Sequence, residues 1–137
     1  MRVALIQMSV TADRARNITA ACQHIRRAAE GGADIVVLPE MFCCPYDNGC
    51  FRAYGEAAGG PAQMALSQTA AELGIYVVGG SLPELEGGKV YNTCYVYGRR
   101  GSFGKAPEGP SVRHRRGGRP ALYGVGHSVP RGPDHHL

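Results

Sequence analysis

Apolar residues change their spacing several times along the first 98 positions, and each change marks an element. RVALIQMSV is an apolar, partly β-branched run of strand length, and Asp13 beyond it offers a side-chain oxygen that caps a helix. Ile18, Cys22, Ile25 and Ala29 then recur at helical spacing while Arg16, Gln23, Arg26 and Arg27 fall elsewhere. This predicts an amphipathic helix, ended by Gly31 and Gly32. ADIVVLPE is a continuous apolar run, the pattern of a strand buried on both faces; Pro39 stops it and leaves Glu40 at its C-terminal end.

The stretch MFCCPYDNGCFRAYGEAAGG is long for a loop in a compact domain, and such loops often carry function. A second helix is predicted from Gly60 and Pro61 through Met64, Leu66 and Leu73 to Gly74. IYVVGGSLP and VYNTCYVYG read as two strands joined by the turn ELEGGK, in which Gly87 and Gly88 supply positive φ. The order β-α-β-α-β-β predicts a layered α/β domain over residues 1–98. After Gly98 the pattern stops: residues 99–137 contain no Ile, Met, Asn, Gln, Thr or Cys and keep no period, so they read as a disordered, basic Gly/Pro/Arg-rich tail.

Charge sharpens that division. Residues 1–98 hold seven basic and nine acidic side chains, a net −2, whereas residues 99–137 hold eight and two, a net +6. The overall +4 therefore belongs to the tail. No apolar run approaches the roughly 18 residues of a membrane span, and MRVALIQMSV is too short for a signal-peptide core, so a cytoplasmic protein without membrane contact is expected. Five cysteines without regular spacing favour free thiols over a disulfide framework.

Glu40 is the first candidate for chemistry. A carboxylate at the C-terminal end of a buried strand sits where open α/β sheets gather their ligands, and burial there would tune it toward general-base work, although most strand-end glutamates are solvated or capping groups. Cys43, Cys44 and Cys50 form C-C-x5-C with no CxxC unit and no His at ligand spacing, so no metal site is expected; the terminal DHHL reads as solvated histidines. The glycine pairs of GGADIVVLPE and VVGGS lack GxGxxG or a P-loop, so no nucleotide or other cofactor is expected. RHRRGGR suggests phosphate contacts, yet only Phe103 and Tyr123 could stack bases, which argues against a nucleic-acid partner.

Five ordered blocks carry a resemblance: VALIQM, Asn17 in the first helix, GADIVVLPEMFCCPY, GIYVVGGSLPE and GKVYNTCYVYG. Together they resemble the nitrilase superfamily of carbon-nitrogen hydrolases, within it the omega-amidase-like branch. The resemblance implies an α/β fold, the N-terminal part of an α-β-β-α sandwich in which two sheets pack between helix layers, and a homodimer. It also implies a Glu general base, a Lys that stabilises the oxyanion and a Cys nucleophile that forms a thioester and releases ammonia. Glu40, in LPEMF, matches the general base.

The other two roles find no match. The family follows a glycine turn such as GPDG with a segment like LLAKHRKxHLFDIDV, whose second Lys is catalytic. Here Lys105 aligns with the first, non-catalytic Lys and Glu108 stands at the catalytic position, an inverted charge where an oxyanion needs a cation. None of the five cysteines lies in a matching nucleophile motif. Codons read one base later account for this: from Arg99 to Gly117 the straddling codons permit DGxLLAKHRKxHLFDIDV, and from Leu122 onward FTESDTLSPGD. The tail is therefore read as out of frame, with the catalytic Lys in the codon that straddles Glu108 and Gly109.

The resemblance thus implies an amidase of small ω-amides of dicarboxylates, with the chain as given inactive. Two other readings stand beside it: a non-catalytic fragment that dimerises with a complete homologue, and a nucleic-acid binder acting through the tail. A half-built sheet system is also expected to expose apolar strand faces and edges.

Overall fold

The structure, a computed structural model, describes residues 1–99 and the backbone strand Phe103–Lys105. The expectations for Glu108 and for the rest of the tail lie outside the described residues. The strand at Phe103–Lys105 carries regular structure past Gly98, where the apolar pattern stops.

Strand β1 (Val3–Leu5) leads into helix α1 (Arg14–Glu30). Asp13 caps α1 as expected, its Oδ1 accepting from the Arg16 N–H at 3.0 Å. The buried line of α1 is Asn17, Ala21 and Ile25, with Ile18, Cys22 and Ala29 only at its margin. This departs from the predicted stripe because Asn17 is satisfied inside. Its Oδ1 accepts from Thr11 N at 2.8 Å and Thr11 Oγ1 at 3.1 Å, and its Nδ2 donates to the carbonyls of Thr11 at 2.7 Å and Cys43 at 3.2 Å. A buried amide with its bonds made costs little.

Strand β2 (Ile35–Val37) follows, then a long connection that contains a short helix, α2 (Phe51–Tyr54), which the sequence pattern does not show. Helix α3 (Pro61–Leu73) starts and stops as expected, with Pro61 in its first turn and Gly74 left-handed at φ 65°. Its inner face differs, however: Ala62, Gln63, Leu66, Ser67, Thr69 and Ala70 are buried, while Met64 is 49% exposed. The small residues let α3 lie close, and Gln63 is paired, its Oε1 accepting from Gly59 N at 2.8 Å. Gly60 offers no capping side chain, so the buried Glu56 carboxylate takes that role from the preceding turn. It accepts from Ala62 N and Gln63 N at 3.1 Å each and pairs with Arg14 at the start of α1.

The two long strands expected after Gly74 each break in two. IYVVGGSLP divides at Gly79 and Gly80 into β3 (Tyr76–Val78) and β4 (Leu82–Glu86); VYNTCYVYG divides at Cys94 into β5 (Lys89–Thr93) and β6 (Tyr95–Tyr97). The breaks match across the ladder, so β4 and β5 leave the main sheet as a hairpin of their own. Gly87 and Gly88 turn that hairpin with φ of 55° and 75°, as the sequence predicts. The main sheet has the order β1-β2-β3-β6-β7, with β7 at Phe103–Lys105; β1, β2 and β3 are parallel and the rest antiparallel.

Helices α1 and α3 cover one sheet face, where Val36, Val77 and Tyr97 are fully buried against Ile25 and Leu66. The opposite face carries two cross-strand rows, Val3-Ile35-Tyr76 and Leu5-Val37-Val78-Val96, with no charged member. Little covers it: the Arg99 guanidinium lies 5.4 Å from the centre of the Tyr76 ring, but Leu5 is 78% exposed, and Ile35 and Val37 are only half-buried. The expectation that ADIVVLPE is buried on both faces is thus met on one face only.

Two outcomes are expected. Glu56→Gln should lower stability by about 2–3 kcal/mol in chemical denaturation, because it leaves Arg14 unpaired and weakens the α3 cap, whereas removing the exposed Glu72 partner of Arg26 should leave the midpoint unchanged. Leu5→Thr should reduce binding of an apolar fluorescent dye to the uncovered face without loss of helical signal.

Candidate functional site

Glu40 is placed by the backbone before its own side chain contributes. Strand β2 is carried one residue beyond its ladder by the Leu38 N–H, which donates to the Val78 carbonyl at 3.0 Å. Pro39 ends the pairing, and the chain turns at Glu40 and Met41. Met41 has φ of 51°, the left-handed region; among the described residues no other non-glycine residue has positive φ. Such strain persists only where the surroundings hold it, and it concentrates at functional sites. Here the Ser81 Oγ accepts the Met41 N–H at 3.2 Å, and Met41 is buried beside Cys44 and Phe51.

Ser81 is brought there by Gly80. A Cβ on Gly80 would lie 2.1 Å from the Pro39 carbonyl oxygen, and φ at this glycine is 62°. The β3–β4 connection can therefore run against LPE only with glycine at this position. From the other side, Asn92 on β5 donates from Nδ2 to Glu40 Oε1 at 2.9 Å. Three blocks distant in sequence, LPEMF, VVGGSLPE and VYNT, thus meet at one turn, and VYNT reaches its carboxylate. No described group bonds Glu40 Oε2, so one oxygen is anchored and the other is open. Glu40 itself is exposed, which corrects the expectation of a buried carboxylate.

The cysteines do not gather around Glu40 as a reactive group. All five are free thiols. Cys43 and Cys44 are buried in the turn, where Cys44 Sγ lies 3.9 Å from Met41 Sδ. The Cys44 thiol is pushed up by its hydrogen bond with Cys43 and by burial, and burial alone pushes the Cys94 thiol up. Thiols held neutral are poor nucleophiles. Among the described residues no group of His, Cys, Asp and Glu could hold a metal ion, and no helix is long and apolar enough to cross a membrane.

Sequence reasoning singled out Glu40 and reads the VVGGS glycines only as turn and packing residues; it gives no role to Ser81 or Asn92, nor to the buried Glu84, which accepts from the Tyr95 hydroxyl. That contact and burial hold the Tyr95 hydroxyl protonated, burial being the larger effect. The motif blocks contained all of these residues; only the register between β4 and β5, which sets Asn92 opposite Pro83, says where they point.

Residues 2–118 match the family described as Carbon-nitrogen hydrolase. The omega-amidase NIT2 of Mus musculus is 44% identical over 115 residues, covering 84% of this chain and 39% of the relative. That of Danio rerio is 46% identical over 102 residues, covering 74% and 37%. Among solved structures, Saccharomyces cerevisiae Nit3, a member of branch 10 of the nitrilase superfamily, superposes with a TM-score of 0.68 at 34% identity over 74% of this chain and 41% of that one. An amidase from Nesterenkonia sp. gives 0.65 at 29% identity over 75% and 40%. The chain spans about two fifths of the length of these relatives.

Gly80→Ala and Gly74→Ala separate close approach from backbone conformation. Gly74, with open space around it, should cost about 1 kcal/mol; Gly80 should cost about 2–5 kcal/mol, because a left-handed residue is there also pressed against backbone. Denaturant midpoints of the two variants check this.

Proposed function

The chain belongs to the carbon-nitrogen hydrolase family, and from that premise we propose that it carries the general-base half of an amidase site for small ω-amides of dicarboxylates. Glu40 is the base. The observation that supports this reading is a carboxylate at the strand end, anchored through one oxygen by Asn92 and open at the other. A base needs that arrangement: one oxygen fixed for aim, the second free to take a proton from a nucleophile and hand it to the departing nitrogen.

The covalent half of the reaction needs a thiol nucleophile and a cation for the oxyanion. Cys43 and Cys44 are buried away from any substrate, the half-buried Cys94 thiol is pushed up by burial, and Glu108 brings the wrong charge to the position where the family resemblance implies Lys. In this proposal the 137-residue chain releases no ammonia, and activity returns when the frame after Gly98 is restored.

A second reading draws on the uncovered rows Val3-Ile35-Tyr76 and Leu5-Val37-Val78-Val96: the chain would act as a non-catalytic partner of a complete relative. Light scattering on an equimolar mixture with such a relative distinguishes the two.

The test of the main reading is ammonia release from a small ω-amide of a dicarboxylate. The pure 137-residue chain should give none. The frame-restored protein should turn over, and Glu40→Gln in it should lower kcat by about 10²–10⁴-fold. Release by the 137-residue chain, or full activity of the Glu40→Gln protein, would refute the proposal.

A further inference from the structure

Two features of Asn92 are not explained by its place in a hairpin. Its Nδ2 donates to Glu40 Oε1 at 2.9 Å, across 52 positions of sequence. Its Oδ1 is buried and has no hydrogen-bond donor among the described residues. A buried amide oxygen left without a partner destabilises the fold, so an asparagine here needs a reason other than stability.

We propose that Asn92 is the positioning residue for the base and serves it in both of its protonation states. This rests on the reading of Glu40 as general base. When Glu40 is ionised it is an acceptor only, and Asn92 meets it with an N–H. Once Glu40 has taken the proton of the nucleophile it becomes a donor. A half-turn of the Asn92 amide then presents Oδ1 to the carboxyl O–H. Because Oδ1 holds no donor among the described residues, the turn sacrifices no bond at that atom. No other side chain of this size offers a donor and an acceptor at equivalent positions. An aspartate would repel the ionised base, and a leucine would hold neither form.

The first test uses the 137-residue chain itself. In its ¹H–¹⁵N spectrum, one Asn92 side-chain N–H proton should lie well downfield of its geminal partner, as a donor to a carboxylate does, and Glu40→Gln should remove most of that separation. Equivalent protons that Glu40→Gln leaves unmoved would overturn the proposal.

The second test is kinetic, in the frame-restored protein, and decides the matter alone if the chain gives no dispersed spectrum. Asn92→Leu and Asn92→Asp should each lower kcat about 10–100-fold while KM changes less than about threefold, because a misaimed base slows the chemical step without touching the substrate. A raised KM with unchanged kcat, or no change in either, overturns the positioning role. Failure of the underlying reading is distinguishable, since it appears as activity that survives Glu40→Gln, whatever the Asn92 variants do.

Discussion

A Cβ at residue 80 would meet the Pro39 carbonyl oxygen at 2.1 Å and that of Leu38 at 2.9 Å, so the β3–β4 connection passes the LPE turn at a distance only glycine allows. That approach brings Ser81 to the Met41 N–H, and the Ser81 bond helps hold Met41 in the left-handed region. Pro39 has already ended the pairing of β2, and the left-handed residue turns the chain just after Glu40, which is left beyond the sheet. The same crossing sends β4 and β5 away from the main sheet as a hairpin, which carries Asn92 back over the turn. One backbone contact therefore positions Glu40, and the hairpin supplies the amide that meets its carboxylate.

Around this centre the remaining polar contacts act as ties between elements. Asn17 binds the β1–α1 loop to the Cys43 carbonyl, fixing the far side of the Glu40 turn to α1. Glu56 joins the start of α1 to the start of α3 through Arg14 and two backbone N–H groups. Both are buried polar groups with partners, the condition under which such groups add order without a large penalty. The helix side of the sheet is thus well determined, while the other side presents apolar rows on which, among the described residues, Arg99 lies over Tyr76 and Leu5 stays exposed.

Much of the fold was legible because its signals are local. The Asp13 cap, the Pro61 start, the Gly74 stop and the Gly87-Gly88 turn each depend on residues within a few positions, and each is found where the sequence predicts it. The failures are non-local. The breaks at Gly79-Gly80 and Cys94 depend on what the two strands pass against, so the apolar pattern runs through them unbroken. Met64 points outward and Gln63 inward because α3 packs by its small residues, which hydrophobicity alone does not reveal. Glu40 could be found from its strand end and its motif, but Asn92 could not, since only a contact spanning 52 residues brings it to Glu40.

In the proposed function this chain holds the base-bearing half of an amidase site, and the lysine completing the oxyanion site is encoded one base out of step. The most direct measurement is the sequence of the coding DNA from Gly98 onward. On that proposal the shifted frame reads HRKxHLFD, with lysine in the codon straddling Glu108 and Gly109. A shifted frame without that run would contradict it.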